Sequence, residues 1–295
     1  MPGPPELSAR AVALKPSLTL AIAAQAKALK NAGRDICSLS AGEPDFDTPD
    51  FIVEATRKAL RDGITRYGPA AGEPELRAAV AEKLSSTNGI ATTSEQVLIT
   101  NGGKQAIYNL FQVLLNPGDQ VLLPAPYWLS YPEMAALAGA EVKLIPTQAE
   151  GGFQLDINAL EAAITPRSRL LVLNTPGNPT GRVMPRQELE AVAEMVRRHP
   201  QLLVMSDEIY EFLLAQGEQH HSFAAIAPDL ADRCFTVNGF AKGWAMTGWR
   251  LGYLAGHQNV IKAAAALQSQ STSNVCSFAQ RGRSEERRVG KECER

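Results

Sequence analysis

Arg169-Leu170-Leu171-Val172-Leu173-Asn174-Thr175-Pro176-Gly177-Asn178-Pro179-Thr180-Gly181 decides the fold class. Arg169–Leu173 is a continuous apolar run, the pattern of a strand buried on both faces. It stops at a polar set rich in turn formers. Leu202–Met205 repeats the pattern and stops at Ser206-Asp207-Glu208-Ile209-Tyr210. Further outward, Gln96–Thr100, Val121–Leu123, Val142–Ile145, Cys234–Val237 and Leu251–Leu254 read as strands. Segments of helical period stand between several of them. Lys104–Leu115 carries Ile107, Leu110, Phe111, Leu114 and Leu115 on one face, and Tyr127–Ala138 reads as another helix. Nearer the start, Thr48-Pro49 predicts an N-cap followed by Pro at the first helical position, with Ile52, Ala55, Ala59 and Leu60 in period up to Gly63. Pro74 starts a further helix through Leu76, Val80 and Leu84. Alternating strands and helices predict an α/β fold: a mostly parallel sheet wrapped by helices.

Composition narrows the function. Among 295 residues, 45% are hydrophobic and 20% charged, enough for a packed core. Formal net charge is −2, from 29 basic and 31 acidic residues, which argues against nucleic acid or an anionic membrane as the main partner. No apolar run exceeds five residues, so no transmembrane helix is expected, and the opening Met1-Pro2-Gly3-Pro4-Pro5 does not read as a signal peptide. Cys37, Cys234, Cys276 and Cys293 stand far apart, without metal spacing or disulfide density. A soluble cytoplasmic protein without a metal is the expectation.

In an open α/β sheet, ligands sit at the carboxyl ends of the strands. Four predicted strand ends carry polar sets. Gly102-Gly103-Lys104 opens a helix, where bare N–H groups and the helix dipole could meet a phosphate, or where the glycines simply turn the chain. Asp207 is either a buried carboxylate awaiting a cation or the cap of a following helix. Asn178-Pro179-Thr180-Gly181 also reads as an ordinary turn. Lys242 stands among Phe240, Ala241, Trp244 and Met246, surroundings that depress a lysine pKa and favour Schiff-base chemistry; otherwise it is a surface lysine. Arg250 suits a bidentate grip on phosphate or a salt bridge.

Together these stretches resemble the fold-type I, class I pyridoxal-phosphate aminotransferases, in particular the bacterial aspartate (aspartate/prephenate) branch. The resemblance rests on Ala41-Gly42-Glu43-Pro44-Asp45-Phe46, Tyr67-Gly68-Pro69-Ala70-Ala71-Gly72, Gly102-Gly103-Lys104-Gln105-Ala106, Pro126-Tyr127-Trp128, the Asn178–Gly181 turn, Ser206–Tyr210 and Ala241–Arg250. It runs over about residues 6–280, and Ala241–Arg250 is its most specific part. It implies ping-pong transamination between an amino acid and a 2-oxo acid, with pyridoxal 5'-phosphate joined to Lys242 as an aldimine. By the same resemblance Asp207 pairs with the ring nitrogen, Tyr210 and Asn178 bond the ring hydroxyl oxygen, and Trp128 stacks on the ring. Arg250 and the backbone at Gly102 and Gly103 take the phosphate. Tyr67 reaches the phosphate of a neighbouring subunit, so a homodimer is implied, and Gly42 lies near the substrate carboxylate. For Trp128, Tyr67 and Gly42 the bland alternative is core packing or a turn.

Lys104 and the hydroxyls of Pro16-Ser17-Leu18-Thr19 match the branch's motif for the distal carboxylate, so aspartate or glutamate is the expected amino donor. The alternative is a helix cap at Ser17 and a surface Lys104. Ala241 departs from the serine that many relatives carry there. The resemblance implies a three-layer α/β/α large domain with an incomplete small α+β domain: residues 1–45 an N-terminal arm and part of the small domain, 46–280 the cofactor-binding domain, and 281–295 a charged tail. That tail holds ten charged residues and one aliphatic, Val289, and is expected to be foreign sequence on a chain cut short rather than a natural solvated end. The arginine that grips the substrate α-carboxylate is not assignable, and Leu20, Ile22 and Leu29 are expected to lack cover, leaving the chain poorly folded and without turnover. The rivals are a C–S lyase of the same fold and a catalytically incompetent cofactor-binding fragment.

Overall fold

The computed structural model describes residues 5–8, 11, 12, 14, 18–37 and 42–284. Among these residues seven strands form one sheet: β1 (Val97–Thr100), β2 (Gln120–Ala125), β3 (Glu141–Pro146), β4 (Ser168–Asn174), β5 (Leu203–Asp207), β6 (Cys234–Gly239) and β7 (Gly252–Ala255). Their spatial order is β1-β7-β6-β5-β4-β2-β3. Only β7 runs against the rest, pairing antiparallel with β1 and β6. The sheet is therefore mixed and mostly parallel, as the apolar runs predict. β4 and β5 lie side by side at its centre, with Leu170 opposite Leu203 and Asn174 opposite Asp207.

Alternate strand residues feed opposite faces, and each face has its own helices. Leu98, Val121, Leu123, Val172, Met205 and Val237 pack with α4 (Gly103–Leu114), α5 (Ser130–Leu137) and α9 (Gln258–Ser271). Leu122, Leu171, Leu173 and Val204 turn the other way, onto α6 (Ile157–Ala162), α7 (Arg186–Arg198) and α8 (Phe223–Ile226). On that same side Val97, Ile99 and Tyr253 meet α2 (Asp50–Arg61), α3 (Pro74–Ser86) and α10 (Ser277–Ser284). A helix–sheet–helix sandwich results, with its core in two layers. A further helix, α1 (Leu18–Asn31), contributes no buried side chain among those described, and Ile22 is 43% exposed. No described helix is long and apolar enough to cross a membrane.

Three local readings change. α2 starts at Asp50, and Thr48 does not cap it: its hydroxyl donates to the Ala245 carbonyl (2.6 Å) and accepts from Trp249 Nε1 (3.1 Å). A contact nearly two hundred residues away takes the hydroxyl that local patterning assigns to the helix. α5 begins only at Ser130, because Tyr127 and Trp128 belong to the connection after β2, where the Trp128 ring meets Lys104. α10 runs across residue 280, with Arg281 paired to Glu73 (3.2 Å) and Gly282 seated against Ile52 and Thr56. The charged stretch thus begins inside packed structure; residues 285–295 lie outside the described residues.

Candidate active site

The sheet brings the polar strand ends to one edge. β1 ends at Thr100, and the chain turns through Gly102 into α4. Gly102 has φ +85°, and a Cβ there would come within 2.6 Å of Arg250 Nη2. A Cβ on Gly252 of β7 would meet the Gly103 nitrogen at 2.5 Å. Bare backbone is what lets strand, turn and arginine crowd together here. The Arg250 guanidinium is pinned by carbonyl acceptors, Nη1 donating to Thr247 (2.9 Å) and Nη2 to Asn101 (3.2 Å). Arg250 itself is left-handed (φ 57°), a conformation that costs a non-glycine residue roughly 1–2 kcal/mol. The N–H groups of Gly103 and Lys104, in the first turn of α4, have no intrahelical acceptor by construction. Helix N-terminus, bare glycine and anchored guanidinium together make an anion cradle.

Two lysines share this positive corner. Lys104 Nζ lies 4.9 Å from the Trp128 ring centroid, and Lys242 Nζ lies 5.7 Å from that of Tyr210. Lys242 also donates to the Gly42 carbonyl, bridging two hundred residues of sequence. Burial holds the pKa of each lysine below the usual value, and the nearby Arg250 charge lowers both further; Glu43 opposes the effect at Lys242. Arg250 repels both lysines, and cations set together in this way favour an anionic ligand.

The opposite sign stands at the end of β5. Asp207 is 4% exposed. Its Oδ2 accepts from the Tyr131 hydroxyl (2.7 Å) and its Oδ1 from the Ile209 N–H (3.2 Å). No ion pair reaches it among the described residues. Burial pushes its pKa up to about 6; the two hydrogen bonds resist the rise and the Glu208 charge adds to it. No helix comes after Asp207, since residues 209–212 form turns, which removes the helix-cap alternative. Tyr210 accepts at its hydroxyl from Asn178 Nδ2 (3.1 Å), and burial raises its pKa. Asn174 ties the two central strand ends together, its Oδ1 accepting from the Asn178 N–H (2.8 Å) and its Nδ2 donating to the Asp207 carbonyl (3.0 Å).

Behind this turn a buried network fixes its shape. Glu208 accepts from Ser206 (2.8 Å) and Ser222 (2.7 Å) and meets His220 Nε2 at 3.2 Å. Glu211 accepts from Asn88 (2.8 Å) and Asn238 (2.7 Å) and pairs with Lys83. Asp207 and Tyr210 are therefore presented by a turn anchored on both flanks.

The uncompensated carboxyl has a measurable consequence in the ligand-free chain. Its pKa of about 6 lies above the ordinary 3.8, so protonated Asp207 favours the fold below pH 4. That contribution, about 3 kcal/mol, is lost as pH rises through 6. Urea unfolding of wild type and Asp207→Asn across this window isolates the effect: wild type is expected to lose stability relative to the variant. A constant difference contradicts it.

Of the sequence candidates, Gly42, Gly102, Gly103, Lys104, Trp128, Asn178, Asp207, Tyr210, Lys242 and Arg250 are joined by the contacts above or by short backbone links at this edge. Tyr67 is 92% exposed and has no hydrogen bond or ring contact with this group among the described residues. Ser17 lies outside the described residues, and of Thr19 only the helical backbone is described. Tyr131, Asn174 and Gly252 join the site without having been singled out by the sequence. For Tyr131 the available signal is its place three residues after Trp128; Gly252 carries none beyond being a glycine in a strand.

The family model for aminotransferase class I and II matches residues 34–285. A bifunctional aspartate aminotransferase and glutamate/aspartate-prephenate aminotransferase of Petunia hybrida is 52% identical over 275 residues, 93% of this chain and 57% of that protein. An aspartate/prephenate aminotransferase of Thermus thermophilus is 51% identical over 274 residues, 93% of this chain and 70% of its own length. Among solved structures, the aspartate aminotransferase of Thermus thermophilus with maleate superposes with a TM-score of 0.93 at 48% identity, covering 97% of this chain and 74% of that one. The chain thus spans 57–70% of the length of these curated relatives.

Proposed function

Because the chain belongs to the class I and II aminotransferase family, we propose that it holds pyridoxal 5'-phosphate and moves an amino group between an acidic amino acid and a 2-oxo acid. The observation that carries this is the bipolar site: Lys104, Lys242 and Arg250 crowd together without enough anions, while Asp207 is buried without a cation. A ligand with a phosphate at one end and a protonated ring nitrogen at the other answers both needs. The donor set fits that group. When bound, pyridoxal 5'-phosphate supplies an aldehyde open to amine attack and a ring that withdraws electrons from a substrate carbon.

The chain's residues do the rest. The Gly103 and Lys104 N–H groups and the Arg250 guanidinium bind the phosphate. Asp207 holds a proton on the ring nitrogen, which its burial makes a strong preference. Tyr210 and Asn178 already bond each other and offer hydrogen bonds to a ring oxygen. Trp128 offers an aromatic face. Lys242, its pKa lowered by burial, would supply the amine for attack and would then move a proton at the substrate α-carbon. Its bond to the Gly42 carbonyl gives way when it does so.

Lys104, with Ser17 and Thr19, would take a distal carboxylate, which favours aspartate or glutamate. The Thermus neighbour seen with maleate, itself a dicarboxylate, supports that choice. The exposure of Tyr67 supports a homodimer in which it reaches a second copy. We assign 1–45 to the arm and part of a small domain, 46–284, through the end of α10, to the cofactor domain, and the protein to the cytoplasm. Lys104→Ala tests the substrate class. It is expected to lower kcat/KM for aspartate and glutamate about 10–150-fold, the worth of a roughly 1.5–3 kcal/mol charge-assisted hydrogen bond, and to spare apolar donors. Equal losses for both classes would remove Lys104 from substrate recognition.

A further inference from the structure

We propose that Tyr131 is a positioning residue: its hydroxyl clamps the Asp207 carboxylate and its ring braces Trp128, so one buried side chain sets both the charged and the aromatic support of the site. The proposal rests on the pyridoxal 5'-phosphate reading of that site. Tyr131 stands on α5, is 2% exposed and lies in the core cluster with Met134 and Ala135. Its hydroxyl donates to Asp207 Oδ2 at 2.7 Å, the only side-chain hydrogen bond to that carboxylate among the described residues. Its ring meets Trp128 edge-on, with centroids 5.3 Å apart and planes at 87°. An apolar core would accept phenylalanine here; the hydroxyl is explained only by Asp207.

The bond has a direction. A hydroxyl donor favours the ionised carboxylate, against the burial that disfavours it. The titratable groups facing Asp207 are Tyr131 from α5, with Glu208 and Tyr210 from its own turn. Burial and the Asp207 charge push the Tyr131 hydroxyl well above its usual pKa, so it remains a donor wherever Asp207 titrates. Tyr131 thereby keeps the carboxylate oriented, and ionised at a lower pH than burial alone would allow. Its ring edge holds the Trp128 indole in a fixed relation to that carboxylate.

Tyr131→Phe keeps the ring and removes the clamp. In the cofactor-free chain, the Asp207 carboxyl, followed by carbon NMR and assigned with Asp207→Asn, is expected to titrate about one pH unit higher in the variant. Pyridoxal 5'-phosphate, added as the probe near neutral pH, is expected to bind about tenfold more weakly. In an Asp207→Ala background the same substitution should add no further loss. An unmoved Asp207 titration, or an equal loss in both backgrounds, overturns the proposal and leaves Tyr131 a packing residue. Failure of the wild-type chain to bind pyridoxal 5'-phosphate would instead strike the reading of the site, while the Asp207 titration still decides the role of Tyr131.

Discussion

Replacing Lys242 by alanine is expected to abolish covalent capture of pyridoxal 5'-phosphate and to reduce amino transfer by about 10²- to 10⁴-fold from the lost proton transfer alone. The structure gives two reasons. Lys242 Nζ is half-buried between the Gly42 carbonyl and the Tyr210 ring, so it reaches the space between cradle and carboxylate. Burial and Arg250 keep its amine easier to deprotonate than an exposed lysine. The phosphate cradle does not depend on the Lys242 side chain, so non-covalent binding should survive in weakened form. Equilibrium dialysis with the labelled cofactor, beside an amino-transfer assay, separates the two effects. Transfer at an undiminished rate by the alanine variant would move the chemistry to another amine.

Asp207→Asn is expected to change stability and affinity in opposite directions. Above pH 6 the wild-type carboxylate is ionised and buried without a cation, so a neutral amide relieves the ligand-free fold by about 1–3 kcal/mol. The Tyr131 hydroxyl, now able to accept from the amide, limits the cost of the exchange. A cationic ring, by contrast, loses its charge partner in a dry site. Breaking a buried pair costs about 3–5 kcal/mol, so affinity or rate should drop by about 10²-fold or more. Parallel urea unfolding and cofactor titration measure both signs. An affinity unchanged by the substitution would show that Asp207 meets no cation.

The central strands and the polar residues at their ends are legible because burial on both faces writes itself as an unbroken apolar run. Leu170–Leu173 and Leu203–Met205 have no other use. Asn178, Asp207 and Tyr210 stand out because each lies just beyond the carboxyl end of such a run. The hidden features depend on contacts between distant segments. Thr48 looks like a cap until Ala245 and Trp249 are placed beside it. Tyr127 and Trp128 look helical because their apolar character suits α5 as well as the loop that they occupy. Tyr131 offers only its spacing from Trp128, since a tyrosine on an apolar helix face reads as core until Asp207, 76 residues away, is set against it. The orientation of β7 is likewise absent from a pattern that marks burial and not direction.

Borohydride reduction of the chain in the presence of pyridoxal 5'-phosphate, with peptide mapping of the product, asks which amine does the chemistry. Two amines compete at the site, both with lowered pKa: Lys242 beside Tyr210 and Lys104 above Trp128. A single stable pyridoxyl group is expected on Lys242, blocked by Lys242→Ala and retained in Lys104→Ala. A label on Lys104, labels scattered over surface lysines, or no label at all would contradict the assignment of Lys242.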